Sequence, residues 1–156
     1  MSELSIPGMG VLTLHHVVCD VNGTLAVDGR LIDGVAARLD ALKEQFDIHL
    51  LTADTHGRQA AIDAELGVTA DRIAPGGEAE QKARFVERLG GGQVVAIGNG
   101  ANDVGMLKAA AVGIAVLGPE GLNSAALQVA DIVVPSILDA LDILLAPKRL
   151  AATLRR

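Results

Sequence analysis

Five short, almost uninterrupted apolar runs punctuate this chain, at 17–19 (VVC), 48–51 (IHLL), 94–97 (VVAI), 112–117 (VGIAVL) and 132–134 (IVV). Runs of this length without polar alternation fit strands buried on both faces of a parallel sheet. Helical patterns separate them. In DGVAARLDALKEQF, Val35, Leu39, Leu42 and Phe46 recur at helical spacing, with Asp33 placed as an N-cap. GRQAAIDAELG closes on Gly67, a C′ glycine, and EAEQKARFVERLGGG carries Phe85 and Leu89 on one stripe. ANDVGMLKAAA and SILDALDILL supply two more helices. Strand and helix alternate with short connections, which predicts a doubly wound, three-layer α/β/α sandwich with right-handed crossovers. Ligands of such folds sit at the carboxyl ends of the strands, beside a topological switch point.

At 156 residues the chain reads as one domain, 1–156, with a sizeable core. Half its residues are apolar, yet it has no Trp or Tyr and only two Phe, so Ala, Val, Leu and Ile must fill that core. Residues 1–16 read as a hairpin turning at Pro7-Gly8 and added at an edge, and 147–156 as a solvated tail bearing Lys148, Arg149, Arg155 and Arg156. LAVDGRLI (25–32) alternates about Asp28-Gly29, a two-residue hairpin signal that predicts a small flap. No apolar run is long enough for a bilayer, and MSELSIPGMG lacks the basic and apolar regions of a signal peptide. The single Cys19 allows no internal disulfide and fits a reducing cytoplasm. A net charge of −6 argues against bulk nucleic-acid affinity, which rests on Lys and Arg neutralising phosphates.

The strand ends carry the candidate chemistry. The first is followed by Asp20-Val21-Asn22-Gly23-Thr24, the second by Thr52-Ala53-Asp54, and the third by GNGANDVGML from Gly98. Lys82 lies early in the third helical segment. A carboxylate can attack phosphorus and hold the group as an aspartyl phosphate. Thr hydroxyls and backbone N–H groups can take phosphoryl oxygens, and a Lys can neutralise them. Asp and Asn oxygens suit Mg²⁺. Each piece has a plainer explanation: a tight turn for Asp-x-Asn-Gly, a strand-end Thr, a solvated Lys, an ordinary βα loop. Their order, each at the expected element, sets them apart.

That order resembles the haloacid dehalogenase-like superfamily, and closely the phosphorylation domain of P-type ATPases. LLTADTHGRQAAIDAELGV is similar to the ATPase pattern TGDN…TA…AIA…GI. AIGNGANDVGMLKAAAVGIAV is similar to GDGVNDAPALAxAxVGIAM, and VADIVV to the AD-x-VL that follows it. The likeness runs from about Val17 to Leu145. It implies Asp20 as the phosphorylated nucleophile, the Asn22 carbonyl as a Mg²⁺ ligand, and Asn99 with Asp103 on the metal side. Thr52 and Lys82 would bind and neutralise the phosphoryl group, with Gly23, Thr24, Ala53 and Asn102 completing its pocket. The implied activity is a phosphohydrolase or phosphotransferase acting on a small or macromolecular phosphate ester. Capless relatives often close the site with a neighbouring subunit, which implies a homo-oligomer.

Three departures shape the expectation. Only 31 residues separate Asp20 from Thr52, too few for the nucleotide-binding domain of an ATPase, so a transport ATPase is not expected. Asn22 stands where family phosphatases carry an acid/base Asp, and an amide has no titratable proton. Acid–base assistance is worth roughly 10²- to 10⁴-fold, so hydrolysis should be slow. ATPases carry Thr there, so a non-acid is compatible with aspartyl phosphorylation. Asn99 replaces the first Asp of the last motif and removes one negative charge from the metal side. The two Asn positions motivate an alternative, a non-hydrolytic phosphate- or cation-sensing module partnering a transporter or kinase. A sugar-phosphate phosphatase fits the size but not those two positions. Among nearby residues, His56 is a weak stand-in proton donor, and Asp54 orients its loop. Cys19 points away from the site, and His15 and His16 form no metal cluster.

Overall fold

The computed structural model describes residues 2–54 and 57–156. A hairpin of β1 (Ser2–Ile6) and β2 (Gly10–Leu14) leads into β3 (His16–Asp20), followed by the short pair β4 (Ala26–Val27) and β5 (Arg30–Leu31). Then come α1 (Val35–Lys43), β6 (Asp47–Thr52), α2 (Gln59–Leu66), β7 (Asp71–Arg72) and α3 (Glu78–Arg88). The chain continues through β8 (Val94–Gly98), α4 (Val104–Ala109), β9 (Val112–Val116), α5 (Ser124–Val129) and β10 (Ile132–Val134), and ends in α6 (Ile137–Leu145) and α7 (Pro147–Leu154).

The main sheet has six strands in the order β10-β9-β8-β3-β6-β7, and every pairing is parallel. From β3 the chain builds outward through β6 and β7, then returns to add β8 on the other side. That reversal is the switch point, and the carboxyl ends of β3 and β8 flank it. Alternate residues of β3 serve opposite layers. Val17 and Cys19 join the core shared with α1 and α6, whereas Val18 joins the one beneath α3 and α4. All three are fully buried. Both faces are therefore covered, which is why the strands read as unbroken apolar runs. Arg38 of α1 clamps α6 through two hydrogen bonds to Asp142, Nε at 2.7 Å and Nη2 at 3.0 Å. Among the described residues no helix is long and apolar enough to cross a membrane.

The flap turns at Asp28 and Gly29, both at positive φ (53° and 72°), as a two-residue I′-type turn demands. Elsewhere local expectations give way to tertiary packing. Asp33 does not cap α1; Gly34 occupies the N-cap position at φ 89°, and its carbonyl accepts from Arg38 Nη1 at 3.1 Å. The N-terminal hairpin is not an edge extension. It forms its own two-stranded sheet, because Leu4, Ile6 and Leu14 are buried in the core rather than aligned with a sheet edge. The 147–156 segment is not a solvated tail but contains α7, with Pro147 at its first turn and Leu150 and Leu154 buried. Its basic side chains do face solvent, and the Arg156 N–H donates to the Pro7 carbonyl at 3.1 Å. Leu150→Ala is expected to cost about 2–4 kcal/mol, as for other buried Leu deletions. The shift in a denaturant midpoint measures it, and an unchanged midpoint would mean that α7 is detached in solution.

Candidate active site

Asp20 closes β3 at the switch point with 6 % of its surface exposed, because the apolar run before it carries the strand to the edge of the core. Lys82 reaches it from α3. This lysine shares the inward face of its helix with Val86 and is 2 % exposed. Its Nζ donates to Asp20 Oδ1 at 2.6 Å and to Asp103 Oδ1 at 2.8 Å. The stripe expected from Phe85 and Leu89 is only half-buried; the buried face of α3 is the one that carries the lysine.

Asp103, fully buried, organises the loop after β8. Its Oδ2 accepts the backbone N–H groups of Asn99 (3.0 Å) and Gly100 (2.9 Å), while Oδ1 holds Lys82. Gly98 is required at this point: a Cβ there would lie 2.6 Å from the Asp103 carboxyl carbon. Both oxygens of Asp103 are thus committed within the protein. Asn99 is oriented differently. Its Nδ2 donates to the Gly121 carbonyl at 3.2 Å, which turns Oδ1 toward the Thr24 hydroxyl at 3.1 Å. That hydroxyl also lies 3.0 Å from Asp20 Oδ2. A hydroxyl has one proton, so one of these two oxygens always lacks it.

Thr52, 1 % exposed at the end of β6, accepts from the Asp54 N–H at 2.9 Å and the Asn22 Nδ2 at 3.3 Å. Both bonds use its oxygen as acceptor, which leaves its own proton for a donated bond. Asp54, at φ 49°, accepts the Gln59 N–H at 3.1 Å, which fits a loop-orienting role. Ala53 is exposed beside Thr52, and Asn102 is exposed on the loop after β8. The structure therefore gathers Asp20, Asn22, Thr24, Thr52, Lys82, Asn99 and Asp103 at one edge of the sheet. His56 lies outside the described residues.

One ammonium between two buried carboxylates leaves a negative charge in excess. Burial, and then the charge on Asp103, push the Asp20 carboxyl up to about 7, against the opposing pull of Lys82 and Thr24. Burial alone would lower the Lys82 ammonium, but the two carboxylates outweigh it and its pKa is raised. Such a site favours uptake of a cation. Among the described residues no group of three or more His, Cys, Asp or Glu is placed to hold a metal ion. Asp20 Oδ2 and Asn99 Oδ1, converging on one hydroxyl, fit a hard ion that takes few carboxylates and keeps its waters, which is the habit of Mg²⁺.

Cys19 is fully buried in the opposite layer, and burial followed by the Asp20 charge pushes its thiol up to about 12. It stays protonated and unreactive. His16 and His49 meet across β3 and β6, with ring nitrogens 3.2 Å apart, and burial, then His16, lower the pKa of His49.

Beside the carboxylates opens a polar cavity of about 540 Å³, lined by residues that include Asn22, Asn99, Asn102, Asn123 and Glu120. Sequence reasoning missed Glu120, and also Thr24 as the link between Asp20 and Asn99. The turn at Gly118-Pro119-Glu120-Gly121, directly after a strand, was the available signal for Glu120.

A family model of haloacid dehalogenase-like hydrolases matches residues 8–111, and a second of the same description matches residues 86–137. An uncharacterized protein of Methanocaldococcus jannaschii is 45% identical over 89 residues, covering 54% of this chain and 96% of that protein. A probable copper-importing P-type ATPase A of Enterococcus hirae is 31% identical over 117 residues, 73% of this chain but only 16% of the ATPase. Among solved structures, the 3-deoxy-D-manno-octulosonate 8-phosphate phosphatase of Moraxella catarrhalis, in complex with magnesium ion, phosphate ion and KDO, superposes with a TM-score of 0.66. The match covers 91% of this chain and 94% of that one at 19% identity, a likeness of fold.

Proposed function

Because this chain belongs to the haloacid dehalogenase-like hydrolase family, we propose that it is a Mg²⁺-dependent phosphohydrolase or phosphotransferase working through an aspartyl phosphate at Asp20. The observation that carries this reading is the buried Asp20–Lys82–Asp103 triad at the switch point. Asp20 Oδ attacks phosphorus, and the bond to the leaving-group oxygen breaks. Lys82 neutralises the phosphoryl oxygens, and the Thr52 hydroxyl donates to one of them. Asp20, the Asn22 main-chain carbonyl and Asn99 would hold Mg²⁺, which when bound offsets negative charge on carboxylate and phosphate. Asp103 acts as the anchor of Lys82 and of the 98–100 backbone.

Incubation with Mg²⁺ and acetyl phosphate or p-nitrophenyl phosphate tests this. The expected result is an acid-stable phosphoprotein and slow turnover. Binding of Mg²⁺ and phosphate by calorimetry, without any phosphoprotein, would instead establish the sensing module that Asn22 and Asn99 motivate. Asn22→Asp asks whether the acid is replaced elsewhere: if nothing replaces it, turnover of p-nitrophenyl phosphate should rise at least tenfold, well inside the range of roughly 10² to 10⁴ that acid–base catalysis supplies. Steady-state rates measure it, and an unchanged or lower rate would mean that another group already transfers the proton.

A further inference from the structure

We propose that Glu120 is that group: a proton-transfer residue supplied by the loop after β9 in place of the absent acid at position 22. The inference rests on the aspartyl-phosphate reading above. Glu120 is exposed at its turn, yet its carboxylate reaches over the loop after β3. Its Oε2 fills the space a Cβ on Gly23 would need, and its carboxyl carbon is 3.0 Å from that point. The Asn99 amide nitrogen is 3.2 Å from the same point. Gly23 directly follows Asn22, so the carboxylate sits beside the residue whose side chain cannot act.

The turn that carries it is tied to the site. The Gly121 N–H donates to the Gly118 carbonyl at 2.9 Å, closing the turn. The Gly121 carbonyl receives the Asn99 side chain, and the Asn123 N–H donates to the Asn99 carbonyl at 2.9 Å. Gly118 itself lies against the Gly23 carbonyl, 3.3 Å from where its Cβ would be. Asn99 thus fixes both the Thr24–Asp20 oxygens and the turn bearing Glu120. Of the described residues lining the adjoining cavity, Glu120 is the single ionisable one; the other polar side chains are amides.

The steps balance. As Asp20 attacks and the bond from phosphorus to the leaving oxygen breaks, protonated Glu120 gives its proton to that oxygen and becomes a carboxylate. Water then attacks phosphorus, Glu120 takes the water proton, and the bond from phosphorus to Asp20 breaks. Phosphate leaves, Asp20 is again a carboxylate, and Glu120 is again protonated.

Leaving-group dependence supplies the test, because a poor leaving group needs the proton and a good one does not. Turnover of phenyl phosphate and phosphoprotein formation from acetyl phosphate are measured for wild type and Glu120→Gln. The substitution is expected to slow the first at least tenfold more than the second, and Asn22→Asp in the Glu120→Gln background should restore turnover of phenyl phosphate. Equal slowing of both would overturn the role of Glu120 while leaving Asp20 phosphorylation intact. Absence of any phosphoprotein in the wild type sinks both readings.

Discussion

Asp20→Asn is expected to abolish turnover and, in Mg²⁺-free buffer at pH 8, to raise the melting temperature. Removing a covalent nucleophile typically costs on the order of 10⁴-fold or more. The gain in stability follows from the site's charge. Asp20 is buried beside Asp103, and its carboxyl is pushed from 3.8 to about 7. A carboxyl raised in the folded state contributes stability that is fully present below its unfolded value and lost as pH rises through its folded value. The loss therefore spreads from about pH 4 to pH 7, and at pH 8 the ionised Asp20 is a liability that an amide of the same shape lacks. Lys82 keeps its bond to Asp103 in the variant. Thermal melts at pH 8 and pH 5 check the sign: the variant's advantage should shrink at the lower pH, where wild-type Asp20 is protonated. Mg²⁺ should also raise the wild-type melting temperature more than that of the variant. A variant less stable than wild type at pH 8 would mean that the ion pair with Lys82 outweighs the burial of the charge.

Much of this site was legible because its residues sit where strand periodicity ends. Asp20, Thr52 and the Asn99–Asp103 loop each follow an apolar run, and a parallel sheet brings such ends to one edge. Lys82 was legible only by its place in the motif order; the apolar stripe of its helix points to Phe85 and Leu89, while the buried face pairs the lysine with a single apolar residue, Val86. Roles within the loop after β8 needed coordinates. Asn99 and Asp103 are four residues apart, and only the hydrogen bonds separate the one whose oxygen faces Asp20 from the one consumed by Lys82 and two backbone N–H groups. Short elements were hardest. β7 is two residues long and exposed, and α5 has six residues with a side-chain cap at Asn123, so neither carries a periodic signal. α7 has only Leu150 and Leu154 to mark its apolar side, and the basic residues around them read as a solvated end. Glu120 escaped because the Gly-Pro-Glu-Gly stretch marks a turn after a strand but not the direction in which that turn sends the carboxylate, back over Gly23.

Lys82→Met should have the opposite effect on stability from Asp20→Asn, although each removes one partner of the same ion pair. Methionine fills a similar volume but leaves Asp20 and Asp103 facing each other, 6 % and 0 % exposed, with no cation between them. Breaking a buried pair in this way costs about 3–5 kcal/mol. In a chain of this size each kcal/mol moves the melting temperature by roughly 2–4 °C, so a drop near 10 °C is expected at pH 8. The destabilisation should be smaller at pH 5. Lys82 is what pulls the raised Asp20 carboxyl back down, so without it Asp20 is held less acidic still in the folded state, and the stability it loses on ionising is regained as pH falls. Lys82→Arg keeps the charge but replaces a compact ammonium with a planar fork, so it should recover part of the stability and little of the turnover. Urea midpoints at the two pH values measure these differences. A loss below about 1 kcal/mol, or one independent of pH, would show that the carboxylates do not depend on Lys82. Opposite signs for the two substitutions would identify a triad short of one positive charge, the deficit that a divalent cation and the Lys82 ammonium together offset when a phosphoryl group arrives.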